Sequence, residues 1–164
     1  MSAVAYKFKC AVCGTEFEAP EVPEMSYGLF VMRSPESDDS AYLDAPNDPV
    51  FLESKELVRL HVRLAQFSAG QVGKVQQAVF SVTCDKTADG ASLEIGLPPK
   101  CPTCGSHKPA SWLQLMPARA WFLPAVRHEL WKTRSPAQKA LMIDEAVNRF
   151  LDKPDSRHGT DSLD

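Results

Sequence analysis

The sequence contains none of the short motifs that mark the common enzyme classes. A glycine-rich dinucleotide loop, a Walker sequence, the His-Glu-x-x-His pair of metalloproteases and the Gly-x-Ser-x-Gly nucleophile turn are all missing. The four histidines are isolated from one another along the chain, so no histidine cluster marks a catalytic base. We therefore predict a protein without enzymatic activity.

Long apolar runs are missing as well. No stretch approaches the roughly 18 consecutive apolar residues that a membrane-spanning helix needs. Residues 1–9 lack the apolar segment and the cleavage site of a secretory signal. From these absences we expect a cytoplasmic protein that has no membrane partner.

Cysteine is scarce, and its five copies are unevenly placed. An odd number argues against a disulfide framework, and a reducing compartment favours free thiols. Four of the five form two Cys-x-x-Cys pairs, Cys10 with Cys13 and Cys101 with Cys104, each preceded by lysine and followed by glycine. A turn with this spacing points two sulfurs at one ion, and two such turns complete a tetrahedral shell. We predict that the four thiolates bind one metal ion, Zn²⁺ in preference to iron.

Both turns resemble the Cys-Pro-x-Cys-Gly knuckles of the zinc-ribbon and rubredoxin-like class. The resemblance covers only residues 10–14 and 101–105 with their flanks, and it implies a closed, structural zinc site. Residues 6–14 are also similar to the opening of rubredoxin, which would imply iron and electron transfer instead. Since 87 residues separate Cys13 from Cys101, we predict that a module is inserted within the ribbon.

The remaining pattern predicts an α+β fold. The zinc ribbon is expected over residues 1–110, with an antiparallel β-module inserted over 25–98 and a C-terminal amphipathic helix beyond it. Residues 57–67 alternate apolar and basic side chains, which favours a strand, although a helical stripe also fits. Residues 75–84 and 92–97 are predicted to be two strands around a turn.

Residues 111–151 are predicted to be an apolar segment followed by that helix. Pro117 and Pro124 interrupt the apolar segment, so neither a long strand nor a long helix fits there. Ser135 and Pro136 predict the start of the helix as its cap and its first residue, and an apolar stripe follows. Part of this stripe is expected to contact another chain.

Two polar stretches are predicted to be mobile. Residues 33–49 are acidic and contain three prolines, which indicates a long loop. Residues 152–164 have no apolar periodicity, which is typical of a disordered tail.

The net charge of −3 hides an uneven distribution. Residues 14–56 carry eleven acidic and two basic side chains, whereas residues 101–139 carry six basic and one acidic. The basic, aromatic stretch 112–134 fits a core or subunit contact, a protein interface or a nucleic-acid surface.

We predict a zinc-stabilised adaptor that binds a protein partner or a second copy of itself. The main alternative is a nucleic-acid-binding zinc ribbon that uses five arginines, namely Arg59, Arg63, Arg119, Arg127 and Arg134.

Four further side chains have a structural and a functional interpretation. His107 follows Cys104 by three residues and is predicted to lie beside the metal ligands or to face solvent rather than to replace a thiolate. Cys84 is predicted to be a buried apolar residue rather than a reactive thiol. His61 and His128 are predicted to be solvent-exposed, with an anion site as the alternative for His61.

Overall fold

A computed structural model describes residues 2–153 and shows both antiparallel sheets and helices. The described residues contain six strands and four α-helices, joined by short loops and 3₁₀ turns. In chain order they are β1 (Ser2–Cys10), β2 (Glu16–Glu21), β3 (Leu29–Arg33), β4 (Ser40–Asp44), α1 (Pro49–Arg59), α2 (Ala69–Val79), β5 (Pro109–Gln114), β6 (Ala120–Phe122), α3 (Glu129–Lys132) and α4 (Pro136–Leu151). None of the helices within residues 2–153 has the length and apolar character to cross a membrane.

The strand β1 is the centre of a four-stranded antiparallel sheet, here called the ribbon sheet (β1, β2, β5 and β6). β2 pairs along one side of β1, while β5 and β6 pair one after the other along its opposite side. Side chains of β1 alternate between faces, so Tyr6 and Phe8 lie on one face and pack with Phe17 and Ala19. β1 thus leads directly into the turn that begins at Cys10, and β2 returns from that turn.

Between the two knuckles the chain contains two α-helices and one β-hairpin, which corrects the predicted antiparallel β-module. Residues 57–67 are the end of α1 and a 3₁₀ turn, and residues 75–84 are the end of α2 and a second 3₁₀ turn. Residues 92–97 form one isolated bridge, between Glu94 and Arg33. Within residues 25–98 the only paired strands are the hairpin of β3 and β4.

Helix capping explains why these segments are helices. The Asp48 carboxylate accepts hydrogen bonds from two amides of the first turn of α1, and Pro49 occupies the first helical position. Ser68 and Gln71 form a reciprocal capping box at the start of α2. Valines such as Val58 are buried in the core, and this burial outweighs their preference for strands.

The predicted long acidic loop is also wrong. β4 and a 3₁₀ turn occupy residues 40–47, and Tyr42 and Leu43 are buried. The connection before β4 is short. In it the Ser34 hydroxyl accepts hydrogen bonds from two amides and stabilises a tight turn. The side chains of β4 are buried, so this segment packs in the core although acidic residues flank it.

The main core, here called the helical core, lies between the β3–β4 hairpin and the helices α1, α2 and α4. Its fully buried large side chains are Met32, Leu43, Val58, Phe80, Trp131, Ile143 and Val147. α4 begins as predicted, since Ser135 forms a capping box with Gln138. The centre of its apolar stripe, Ile143, Ala146 and Val147, is buried in the helical core, whereas Leu141 and Phe150 are exposed. Whether the exposed part contacts another chain stays a prediction.

The proline-broken apolar segment forms the two short strands β5 and β6, which both pair with β1. The predicted tail, residues 152–164, lies outside the described residues from position 154 onward. The predicted division of the chain into separate domains stays a prediction.

Candidate metal centre

The two knuckles have the same backbone hydrogen bonds. In the first, the Gly14 amide donates to the Cys10 carbonyl at 3.0 Å, and in the second the Gly105 amide donates to the Cys101 carbonyl at 2.8 Å. The two glycines have φ values of 74° and 73°, in the left-handed region that other residues rarely adopt. The glycine after each pair therefore closes the turn, as the sequence predicts.

The ribbon sheet brings these turns together across 87 intervening residues. β1 runs into the first knuckle and pairs with β5, which follows the second. The pairing extends beyond the strands, since the Ala11 amide donates to the Lys108 carbonyl at 2.8 Å. The sheet thus fixes the distance between the two cysteine pairs.

The four sulfurs of Cys10, Cys13, Cys101 and Cys104 all lie within 4.8 Å of one another. The Cys10 and Cys104 sulfurs are 3.5 Å apart, and those of Cys13 and Cys101 are 3.6 Å apart. A tetrahedral ion with bonds of about 2.3 Å to sulfur holds its ligands about 3.8 Å apart. The cluster therefore has the size and the donor set for one metal ion.

Burial differs between the members of each pair. Cys10 and Cys101 are buried, whereas Cys13 and Cys104 are exposed. The Val12 amide lies 3.4 Å from the Cys10 sulfur, and the Thr15 hydroxyl lies 3.2 Å from the Cys13 sulfur. An ion bound here would therefore lie near the protein surface, with two buried and two exposed ligands.

The protonation of the four thiols is uneven without a cation. The Thr15 side chain contributes most to lowering the pKa of Cys13, which falls to about 6, and the Cys13 amide contributes most to lowering that of Cys10. At Cys104 the Ser106 amide acts in the lowering direction, but burial and the three neighbouring sulfurs outweigh it and raise the pKa to about 12. Four thiolates this close repel one another, so full ionisation requires a bound cation.

The other residues near the knuckles do not join the cluster. His107 turns its Nδ1 toward the Pro98 carbonyl at 2.7 Å, and the set of metal-spaced ligands within residues 2–153 consists of the four cysteines. Cys84 is half-buried beside the helical core, and burial raises its pKa to about 12. Both observations agree with the structural roles predicted for His107 and Cys84.

Two histidines that were predicted to be exposed are buried instead. His61 caps the 3₁₀ turn after α1, and its Nε2 lies 3.0 Å from an Asp144 carboxylate oxygen on α4. The two ring nitrogens of His128 lie 2.8 Å from the Thr83 carbonyl and 3.2 Å from the Asp48 carboxylate. These contacts join segments distant in sequence, which no local pattern indicates.

Three of the five arginines proposed for nucleic acid form ion pairs with carboxylates of this chain. Arg59 pairs with Glu56 at 2.7 Å, Arg63 pairs with Asp152 at 2.8 Å, and Arg119 contacts Glu18. Arg127 and Arg134 are exposed. Most of this charge is already balanced by local carboxylates.

One buried arginine was missed by the sequence analysis. Arg33 is almost fully buried, and it donates to the Leu97 carbonyl at 3.0 Å, to the Pro20 carbonyl and to the Glu21 carboxylate at 3.1 Å. Burial lowers its pKa, and the nearby Glu21 acts in the opposite direction. The contacts to Pro20 and Glu21 link the β3–β4 hairpin to β2, so Arg33 joins this hairpin to the ribbon sheet.

Comparison of the chain with protein-family models, with curated proteins and with solved structures finds no match. The role of the four-cysteine cluster is therefore inferred from its geometry and chemistry.

Proposed function

We propose that the four cysteines hold one structural Zn²⁺ and that the chain is a zinc-stabilised, non-enzymatic protein-interaction module. The observation that carries the proposal is the clustering of four sulfurs from two turns that are far apart in sequence. A four-thiolate shell leaves no position on the ion for water or substrate, so such a metal contributes to folding rather than to catalysis.

The use of the buried histidines supports a non-catalytic role. Both ring nitrogens of His128 are occupied by Thr83 and Asp48, and the Asp48 carboxylate also caps α1. His61 has its Nδ1 on the Arg63 amide at 3.2 Å and its Nε2 beside Asp144. These contacts join segments that are distant in sequence, so both histidines have a structural use in the fold.

Metal analysis tests the first part of the proposal. Protein purified from cells supplied with both zinc and iron is expected to be colourless and to contain one zinc per chain. A red protein with visible iron–thiolate absorbance would instead support a rubredoxin-like electron carrier. The variant Cys101→Ser should bind less than one zinc per chain, while Cys84→Ser should match the wild type.

Binding measurements test the second part. An interaction module should form a defined assembly, either with itself or with a protein captured from its own cells in a fixed ratio. Binding to DNA or RNA that weakens steeply as salt is added would favour the nucleic-acid alternative. A zinc-loaded protein that stays monomeric and captures no partner would contradict the interaction role while leaving the metal role intact.

A further inference from the structure

The outer edge of β5 is open. β5 pairs with β1 along one side, and within residues 2–153 no strand pairs along its other side. Four consecutive residues, 110–113, are exposed. An exposed strand edge carries unpaired amides and carbonyls, which makes it a template for another strand.

The direction of these backbone groups follows from one hydrogen bond. The Leu115 amide donates to the Ala5 carbonyl of β1 at 3.1 Å. Backbone groups alternate between the two sides of an antiparallel strand, so Leu113 faces β1 in the same way. Trp112 and Gln114 must then turn their amides and carbonyls outward. Two residues therefore offer two donors and two acceptors along this edge.

The side chains along this edge are uncharged, and two of them are large, apolar and exposed. Trp112 is 61% exposed and Leu113 is 67% exposed, and they lie on opposite faces of the ribbon sheet. No charged residue occurs between Lys108 and Arg119. Proteins normally protect a strand edge with charged residues, prolines or bulges. The irregularity in the pairing of β5 lies at its start, near Cys10, and leaves residues 112–114 regular.

We propose that β5 pairs with β5 of a second copy of this chain, antiparallel about a two-fold axis at Leu113. This inference rests on the proposed interaction role and names the surface that carries it. In this register Trp112 faces Gln114 of the second copy, and each pair exchanges two hydrogen bonds through its outward backbone groups. The two Leu113 side chains meet on the axis and bury surface that is exposed in the single chain.

Charge and side-chain size favour a second copy as the occupant. Within β5 every residue is uncharged, so this register brings no like charges to face each other across the axis. Ser111 lies opposite Leu115, which continues the pairing with β1 for one residue beyond the strand, and this sets a small side chain against a large one. An uncharged strand is the complement that this edge requires, and β5 is such a strand.

The expected dimer is weak. Pairing of one short strand buries less area than the roughly 1,600 Å² of a standard interface, so the dimer should dissociate on dilution. Sedimentation of the full-length, zinc-loaded protein over a concentration series up to about 100 µM should therefore show a shift from monomer to dimer.

A matched pair of variants locates the interface. Leu113→Lys brings two like charges together on the axis and is expected to weaken the dimer at least about tenfold. Leu141→Lys changes an equally apolar side chain, 58% exposed on α4 and outside the ribbon sheet, and should sediment as the wild type does. Equal zinc content and melting temperature in the three proteins would show that the fold is retained.

Cross-linking gives a second readout that does not depend on stability. A photoreactive phenylalanine analogue at position 113 should produce a covalent dimer, and the same group at position 141 should not. A wild type that is monomeric at every concentration, or a Leu113→Lys variant that dimerises normally, would overturn the inference. One zinc per chain in such a monomer would leave the metal proposal standing, so the two failures can be told apart.

Discussion

The apolar cluster of the ribbon sheet contains three buried side chains, Tyr6, Phe8 and Ala19, whereas that of the helical core contains fifteen. Ordering a residue costs about 1–2 kcal/mol of backbone entropy, and burial of apolar area is the main term that offsets it. Three buried side chains offset little of that cost for a four-stranded sheet. A metal ion bound by the knuckles would supply the difference, while the helical core can be stable through packing alone.

Removal of the metal ligands should therefore break the ribbon sheet first. We expect Cys10→Ser to destabilise the ribbon sheet by about 5–10 kcal/mol, less than the full value for small zinc peptides because the helical core remains attached. Hydrogen exchange should show loss of protection in β1 and β5 but not in α1, α2 and α4. A strong chelator should reproduce the effect in the wild type.

The fifth cysteine is the control for this experiment. Cys84→Ser should keep one metal per chain and full protection of β1. Because burial raises the pKa of Cys84 to about 12, its thiol should also resist alkylation at neutral pH in the folded protein. Unchanged melting of the wild type after proven metal removal would refute the difference between the two regions.

A cavity in the helical core should destabilise the helices and leave the metal site intact, which is the opposite of the effect expected for Cys10→Ser. Phe80 is fully buried. The centroid of its ring lies 4.9 Å from the ring centroid of Phe51 and 5.6 Å from that of His128. Phe80→Ala should cost about 3–5 kcal/mol of unfolding free energy while zinc content stays at one per chain. Urea denaturation followed by helical circular dichroism measures this loss.

An exposed aromatic residue provides the matched substitution. Phe122 is 80% exposed on β6, so Phe122→Ala should change the unfolding free energy by less than about 0.5 kcal/mol. A Phe80→Ala variant that loses its metal together with its helices would show that the two regions unfold as one unit.

The ease of prediction from sequence follows the same division. The clustering of the four cysteines was predictable because a Cys-x-x-Cys-Gly turn places both sulfurs within five residues. The sheet then had only to bring Cys10 and Cys101 together. The start of α4 was predictable for the same reason, since Ser135, Pro136 and Gln138 form a local cap.

The inserted helices were mistaken for strands because two local signals disagreed. The alternation of residues 57–67 resembled a strand, although the Asp48–Pro49 cap and the Ser68–Gln71 capping box were present in the sequence. The burial of His128 had no local signal at all. Its partners Thr83 and Asp48 lie 45 and 80 positions away, so only the tertiary fold brings them together.

Loss of a helix cap should have a smaller effect than a cavity. Ser135→Ala removes the hydroxyl that accepts the Gln138 amide at 3.2 Å and should cost about 1 kcal/mol. Ser135→Asp retains an acceptor at this position and should recover most of the loss. Because α4 packs in the helical core, metal content and protection of β1 should not change in either variant. A Ser135→Ala variant as stable as the wild type would show that the cap contributes nothing here.

The smallest effect is expected where the chain passes from the ribbon sheet into α3, and it should depend on pH. The Asp85 carboxylate accepts hydrogen bonds from the amides of Glu129 and Leu130, each at 3.0 Å. Burial alone would raise the pKa of Asp85, but these hydrogen bonds, with help from nearby Arg127 and His128, outweigh it and lower the pKa below its usual value. A lowered pKa in the folded state means that the carboxylate stabilises the fold above the unfolded pKa of about 3.9 and that this contribution disappears as the pH falls through the lower, folded value.

Asp85→Asn should therefore cost up to about 1 kcal/mol at pH 7, and the difference from the wild type should shrink below about pH 4. Urea denaturation of both proteins at each pH measures this difference. Loss of metal in acid affects both proteins equally, so it cancels from the difference. The exposed Asp89, changed to asparagine, should show no such dependence. A constant difference between Asp85→Asn and the wild type down to pH 3 would show that the carboxylate charge does not hold α3 in place.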